Sequence, residues 1–412
     1  MKIAVIAPTA IPSRRANSIQ TMKMSQALAN LGHSVCVAAP SYPPANIEPA
    51  TWEVLSRHYG LDTDPVQPGG KSGNLDIEWL PARMNLRRYD FSWQSVNWAR
   101  RWQADLLYTR LPQTAALASQ TNLPVILEIH DLPQGNIGPW MFRLFLKGKG
   151  ARRLVVITRS LAEDLHQYFG APELIETAST FTIISPDGVD LGRYTELPLP
   201  GAARSQLQLA LPERFTVGYT GHFYSGRGLD LILSLASRLP TINFLLVGGE
   251  QKEVLQLVEK AKSLALENVY ITGFVPNRDL PLYQAACEAL LMPYQKQVAA
   301  SSGGDIARYL SPMKVFEYMA SGRAILSSDL PVLREVLSSE NAILLPPDDL
   351  QTWLKAIQDP QVDSRRRMRL GGQARSDVQQ FSWEARARRI LAGISIQSHL
   401  NTAPENSGER YS

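Results

Sequence analysis

Apolar and polar positions along the chain alternate between two periods almost from end to end. Short apolar runs rich in Val and Ile, bounded by polar residues, predict strands buried on both faces. In the first half these are Lys2–Ala7, Ser34–Ala39, Asp105–Tyr108, Pro124–Ile129, Leu154–Thr158 and Phe181–Ser185. Between them lie segments with helical spacing. Asn17–Leu31 carries Ile19, Met22, Met24, Ala27, Leu28 and Leu31 and meets Gly32 as a candidate C-cap. Ser160–Phe169 is a second helix, with Ser160 and Glu163 spaced as a capping box.

The alternation pauses at Glu196–Gly201, a Pro-rich stretch that cannot continue a helix or a central strand. A second series follows, with strands Phe215–Thr220, Asn243–Val247, Val269–Thr272, Leu291–Pro293 and Ala324–Ser327. Helices Leu229–Leu239, Lys252–Leu266, Asp279–Leu290 and Pro312–Ser321 separate them. Repeated strand–helix units imply parallel sheets with right-handed crossovers, so two series imply an α/β protein of two Rossmann-like, doubly wound domains. Such domains face each other across a cleft at the carboxyl ends of their strands, where ligands of this architecture bind.

Composition narrows the picture. With 412 residues, 44% hydrophobic and 19% charged, the chain has the make-up of a globular protein of two or three domains. A formal charge of +4 is too small a basic footprint to argue for nucleic acid. Cys36 and Cys287 are far apart, lack metal-ligand spacing and fit a reducing compartment. The apolar start Met1–Pro12 is too short to span a bilayer and lacks a signal-peptide cleavage site, and no later run reaches membrane-spanning length. A cytoplasmic location is therefore expected.

Candidate chemistry gathers just after strands. Tyr219–Gly228 follows the first strand of the second series and supplies Gly221, His222 and Arg227 before a helix opens at Leu229. Glycines let backbone approach a ligand, and Arg227 would be a fixed cation for a diphosphate. Taken alone, such a segment is more often just an ordinary turn. Ser311–Gly322 begins with Ser311 as an N-cap and Pro312 at the first helical position, followed by Met313 and Lys314. A helix start entering the cleft offers free N–H groups and partial positive charge to a phosphate. Glu317, about one and a half turns on, could accept hydrogen bonds from ribose hydroxyls, or be a solvated glutamate beside Lys314.

These residues resemble glycosyltransferase family 4, the group 1 glycosyltransferases of GT-B fold. The segment SPMKVFEYMASGRAILSSDLPVLREVL is similar to that family's donor-binding segment. GHSVCVAAP, EIHD, VVITRSLAEDL, SPDGVD, YTGHFYSGRGLDLIL, FLLVGGE, NVYITGFVPNRDLPLYQAA and FSWEARARRIL fall in the family's order over roughly residues 1–395. The resemblance implies a retaining, metal-independent transferase that needs no cofactor beyond its substrate, a UDP-, GDP- or ADP-sugar. It implies an acceptor-side domain over 1–197, a donor-side domain over 198–380 and a helix over 381–397 that returns to the first domain. The polar tail 398–412 is expected to fray.

By the same resemblance, Arg227 meets the diphosphate and Ser311 to Lys314 lie beneath it. Glu317 takes the ribose, Phe274 and Val275 lie beside the nucleobase, and His130 reaches toward the transferred sugar. Ala16, Asn17 and Ser18 stand in place of the glycine-rich loop that often faces the donor. Two positions depart from the pattern. Tyr309 stands where the first of two glutamates is usual, and His222 where an arginine is usual. A sugar-nucleotide binder without activity is the alternative these departures raise. An NAD-dependent oxidoreductase is a further alternative, although APTAIPSRRANS, after the first strand, has no glycine at all.

Two other features remain. Asp62-Thr63-Asp64 has the D-x-D spacing of a metal site but follows no strand, and no metal ligands are assigned. Two basic, aromatic stretches, 87–102 (Arg87, Arg88, Trp93, Trp98, Arg100, Arg101, Trp102) and 140–153 (Trp140, Phe142, Phe145, Lys147, Lys149, Arg152, Arg153), suit peripheral contact with the inner membrane surface, where a lipid-linked acceptor would lie. They also suit amphipathic helices packed on a sheet. Sugar, acceptor and oligomeric state are not legible.

Overall fold

The computed structural model describes residues 1–41, 51–62, 74–82, 89–172, 181–299 and 304–394. The first sheet holds seven strands: β1 (Lys2–Ile6), β2 (Ser34–Ser41), β3 (Leu75–Pro81), β4 (Leu106–Thr109), β5 (Val125–Ile129), β6 (Ala151–Val156) and β7 (Thr182–Ile184). The second holds six: β8 (Thr216–Thr220), β9 (Asn243–Val247), β10 (Val269–Gly273), β11 (Ala289–Met292), β12 (Ala324–Ser328) and β13 (Ile343–Leu345).

Their orders, β3-β2-β1-β4-β5-β6-β7 and β10-β9-β8-β11-β12-β13, are both doubly wound, and every pairing is parallel. Central strands such as β4, β5 and β8 are buried at every position, as a sheet covered by helices on both faces requires. Each sheet has an apolar cluster on either face. The strand order reverses between β1 and β4 and between β8 and β11, which places a ligand crevice at those carboxyl ends.

Two strands escape the hydrophobic pattern. β3 is an edge strand in which only Leu75 and Leu80 are buried, and β13 has only three residues. The expected helix over Asp279–Leu290 is shorter, Leu280–Ala285, because Ala289 already enters β11. The expected capping box also moves. Thr158, not Ser160, caps the helix Arg159–Phe169 by accepting from the Leu161 N–H at 3.3 Å.

The helix Trp383–Leu391 crosses back to the first sheet. Trp383, Ala387 and Ile390 belong to the core formed by β1, β2 and the helix Ala16–Asn30. Arg153 fastens its far end, donating to the Ile390 carbonyl at 2.5 Å and the Ala392 carbonyl at 2.7 Å. A cation on the last carbonyls of a helix satisfies groups that have no partner within the helix. Residues 398–412, together with Thr63, Asp64, Arg87 and Arg88, lie outside the described residues.

Candidate active site in the interdomain cleft

A cavity of about 420 Å³ separates the two sheets. Its walls come from the carboxyl ends of strands on both sides. Arg15, Ala16, Asn17, Ile19 and Gln20 follow β1, Arg110 follows β4, His130 follows β5 and Asp187 follows β7; Gly221, His222, Tyr224 and Arg227 follow β8.

On the second-domain wall, the helix Met313–Ser321 opens without a side-chain cap. The sequence expectation of Ser311 as N-cap and Pro312 as first helical residue shifts by one: Pro312 takes the cap position, and its ring has no group to cap with. Val315 N–H turns back to the Pro312 carbonyl at 3.0 Å, and the Met313 and Lys314 N–H groups have no partner among the described residues, a setting that favours an anion. Ser311, Pro312, Met313 and Lys314 all line the cavity.

Lys314 Nζ is buried without a hydrogen-bond partner among the described residues, 3.8 Å from the centre of the Tyr219 ring. Burial and the neighbouring Arg227 hold its pKa well below the usual lysine range, with Glu317 working against them. The Arg227 guanidinium lies over the Tyr294 ring at 5.0 Å, and its Nε is likewise buried and unpartnered. Two basic side chains converge here with few internal partners, and an anion beside them favours the charged form of Lys314. That arrangement costs free energy unless an anion completes it.

Gly221 makes room for this pair. It sits at φ +131°, and a Cβ there would come within 2.8 Å of Lys314 Nζ. Gly228, at φ +80° before the helix Leu229–Arg238, lies so close to the Pro293 carbonyl that a Cβ would reach 1.9 Å. His222 faces the same cavity, stacked on Tyr224 at 4.8 Å. Burial, Lys314 and Arg227 lower its pKa, so it brings a neutral ring rather than a charge. Glu317 lines the cleft with its carboxyl raised by burial; Gln284 donates to its Oε2 at 3.4 Å.

The first-domain wall carries a buried polar network that only partly follows from the sequence. His130 Nε2 and Gln20 Nε2 both meet Glu128 Oε1, the latter at 2.7 Å. The Tyr108 hydroxyl donates to Glu128 Oε2, which also pairs with Arg386 at 3.0 Å. Burial, Arg110 and Arg386 hold His130 well below the usual histidine range. With its Nε2 hydrogen given to Glu128, the neutral ring keeps Nδ1 as its acceptor. Arg386 comes from the returning helix and is 1% exposed. Sequence reasoning placed that helix against the first domain but gave Arg386 no role. A cation in an amphipathic helix looks solvated until its burial is known.

Glu128, His130 and Asp187 place their ligand atoms within 4.8 Å of one another. Both Glu128 oxygens already have donors, and the guanidiniums of Arg110 and Arg386 adjoin the group. A divalent cation there would face two fixed positive charges, so this is a charge-balanced network rather than a metal seat.

The remaining expected residues divide. Ala16 and Asn17 line the cleft as the first turn of a helix rather than as a loop. Ser18 does not; its hydroxyl turns back to the Ser13 and Arg15 carbonyls at 2.7 and 2.8 Å. Phe274 sits away from the cavity wall, between Arg14 at 4.2 Å and the ring of His58 at 5.9 Å. Val275 packs on the second-domain core. Tyr309 donates to Asp164 across the domains, and Arg308 grips the same carboxylate with two bonds of 2.8 Å.

Comparison with known proteins agrees with this architecture. The family profile described as Glycosyltransferase Family 4 matches residues 18–182, and that described as Glycosyl transferases group 1 matches 214–360. A phosphatidyl-myo-inositol mannosyltransferase of Mycolicibacterium smegmatis is 23% identical over 431 aligned positions, spanning 99% of this chain and 100% of its own. Among solved structures, sucrose-phosphate synthase from Thermosynechococcus elongatus superposes with a TM-score of 0.70 at 19% identity, covering 95% of this chain and 97% of its own. Anabaena HepE in complex with UDP and glucose does so with a TM-score of 0.70 at 17% identity, covering 95% and 98%. At these identities the structures speak for the shared fold.

Proposed function

Because the chain belongs to the family 4 glycosyltransferases and folds as two Rossmann-like units of GT-B type, we propose that it moves a sugar from a nucleoside-diphosphate sugar to a hydroxyl acceptor, with retention and without a metal ion. The observation that carries this reading is a pair of buried basic side chains, Lys314 and Arg227, whose Nζ and Nε have no hydrogen-bond partner among the described residues, beside the uncapped start of the helix Met313–Ser321. A departing diphosphate develops negative charge, and preorganised cations and N–H groups stabilise it where other transferases use a bound metal. The bond from the anomeric carbon to the diphosphate breaks with its electron pair on the phosphate oxygen. The acceptor oxygen bonds on the same face, and its proton passes to that departing oxygen. Glu317 accepts from the ribose, and His130 faces the transferred sugar. No protein nucleophile is needed.

The test is release of nucleoside diphosphate in excess EDTA, with the anomeric configuration of the product read by NMR. Turnover that survives EDTA and retains configuration is expected. Dependence on added divalent metal, or an inverted product, overturns the reading.

A membrane-borne acceptor is supported by the exposed aromatics. Trp93 is 62% and Trp140 57% exposed, each in the first turn of a helix (Asp90–Arg101 and Gly138–Leu146). In a strand–helix–strand unit that turn lies at the carboxyl edge of the sheet, here the cleft side. Exposed Arg100 and Arg101 end the first helix and exposed Lys147, Lys149 and Arg152 follow the second, at the opposite end of each helix from its tryptophan. Trp98, Phe142, Phe145 and Arg153 turn inward, so the contact surface is narrower than the sequence pattern implies. The mannosyltransferase relative, named for phosphatidyl-myo-inositol, points the same way. The protein should co-sediment with anionic lipid vesicles at low salt and lose this when Trp93 and Trp140 are both changed to Ala. Absence of wild-type binding ends this part of the reading.

A further inference from the structure

Asp187 lies in Ser185–Asp190, the segment that leaves β7, and forms part of the cleft wall. The residue is 6% exposed, and its Oδ1 is buried with no hydrogen-bond partner among the described residues. Its nearest polar neighbours are committed elsewhere. Arg386 is spent on Glu128 and on the Ser185 and Pro186 carbonyls, at 3.1 and 2.8 Å. Arg110 donates to Gln20 at 3.4 Å. His130 gives its Nε2 side to Glu128.

A buried carboxylate oxygen without a donor is costly to leave bare, so its position on a ligand cleft asks what would fill it. An anion is repelled by the carboxylate, and a second cation would crowd the Arg110 and Arg386 guanidiniums. A neutral hydroxyl meets neither objection, since it donates one hydrogen bond and adds no charge. Among the described residues no hydroxyl donates to that oxygen, and a sugar presents several. Burial, with Glu128 adding to it, raises the Asp187 carboxyl above its ordinary range, and His130, Arg386 and Arg110 offset that only in part.

We propose that Asp187 is a substrate-binding residue whose Oδ1 accepts a hydrogen bond from a hydroxyl of the transferred sugar, beside His130. The proposal rests on the transferase reading and adds the residue that holds the sugar rather than the nucleotide.

The experiment compares two ligands on one variant. Isothermal titration gives Kd for the sugar nucleotide that binds best among UDP-glucose, GDP-mannose and ADP-glucose, and for its bare nucleoside diphosphate. Asp187→Ala should weaken the sugar nucleotide by about 10- to 100-fold and leave the nucleoside diphosphate unchanged. Asp187→Asn, which keeps shape and an acceptor oxygen, should show a smaller loss and guards against failure of the Ala variant to fold. Unchanged sugar-nucleotide affinity overturns the proposal, as does equal loss of both ligands, which would mark Asp187 as merely structural. If the wild-type protein binds the nucleoside diphosphate but gains nothing from the sugar, this proposal alone falls. If it binds neither, the transferase reading falls as well.

Discussion

Tyr309 shows how one residue change redirects a contact. A glutamate at this position would set a carboxylate against Asp164, whereas the tyrosine hydroxyl donates to it and Arg308 adds charge. Burial pushes the Asp164 carboxyl up, but Tyr309 and Arg308 outweigh that and hold it below its ordinary 3.8. A depressed carboxyl contributes stability that is fully present above that ordinary value and is lost as pH falls through the folded-state value. Wild-type melting temperature should therefore fall more steeply than that of Asp164→Asn as pH drops from about 5 to about 3, the two converging at the acid end. Parallel curves would show that the interdomain grip contributes nothing. The other departure, His222, is also explained locally. Lys314 brings a cation to the Gly221 turn from the facing helix, and an arginine at 222 would be a third positive group beside Arg227.

At the scale of elements, legibility followed burial. Strands buried on both faces, such as β4, β5 and β8, announced themselves as apolar runs. β3, with Asp76 and Glu78 on a half-covered edge, and the three-residue β13 did not, because an edge strand needs no continuous apolar run. The start of the helix Met313–Ser321 was legible to within one residue, as were the cleft positions of Gly221, His222, Arg227, Lys314 and Glu317. Arg386, Tyr108 and Gln20 were not. Their meeting at Glu128 depends on where the returning helix lands, at sequence separations such as 278 between Arg386 and Tyr108. Local patterns carry no information about a contact of that span. Asp187 was quoted within a motif, but its unpaired oxygen appears only once its neighbours are placed.

At the scale of the whole molecule, two doubly wound sheets, one returning helix and one cleft form a single functional design. In the proposed reaction the second domain would supply basic side chains and a helix start for an anionic leaving group, and the first a neutral histidine and a buried carboxylate for the sugar. Binding of a sugar nucleotide across this cleft is the central claim, and it predicts stabilisation of the folded state without metal. Thermal unfolding of the metal-free protein against UDP-, GDP- and ADP-sugars and NAD tests it most directly. A ligand at about 100 times its Kd adds about 2.7 kcal/mol, and Glu317→Ala should remove about 1–3 kcal/mol of binding free energy. Stabilisation by one sugar nucleotide that shrinks in Glu317→Ala is the result the structure predicts. No shift with any sugar nucleotide, or a shift with NAD alone, would contradict it.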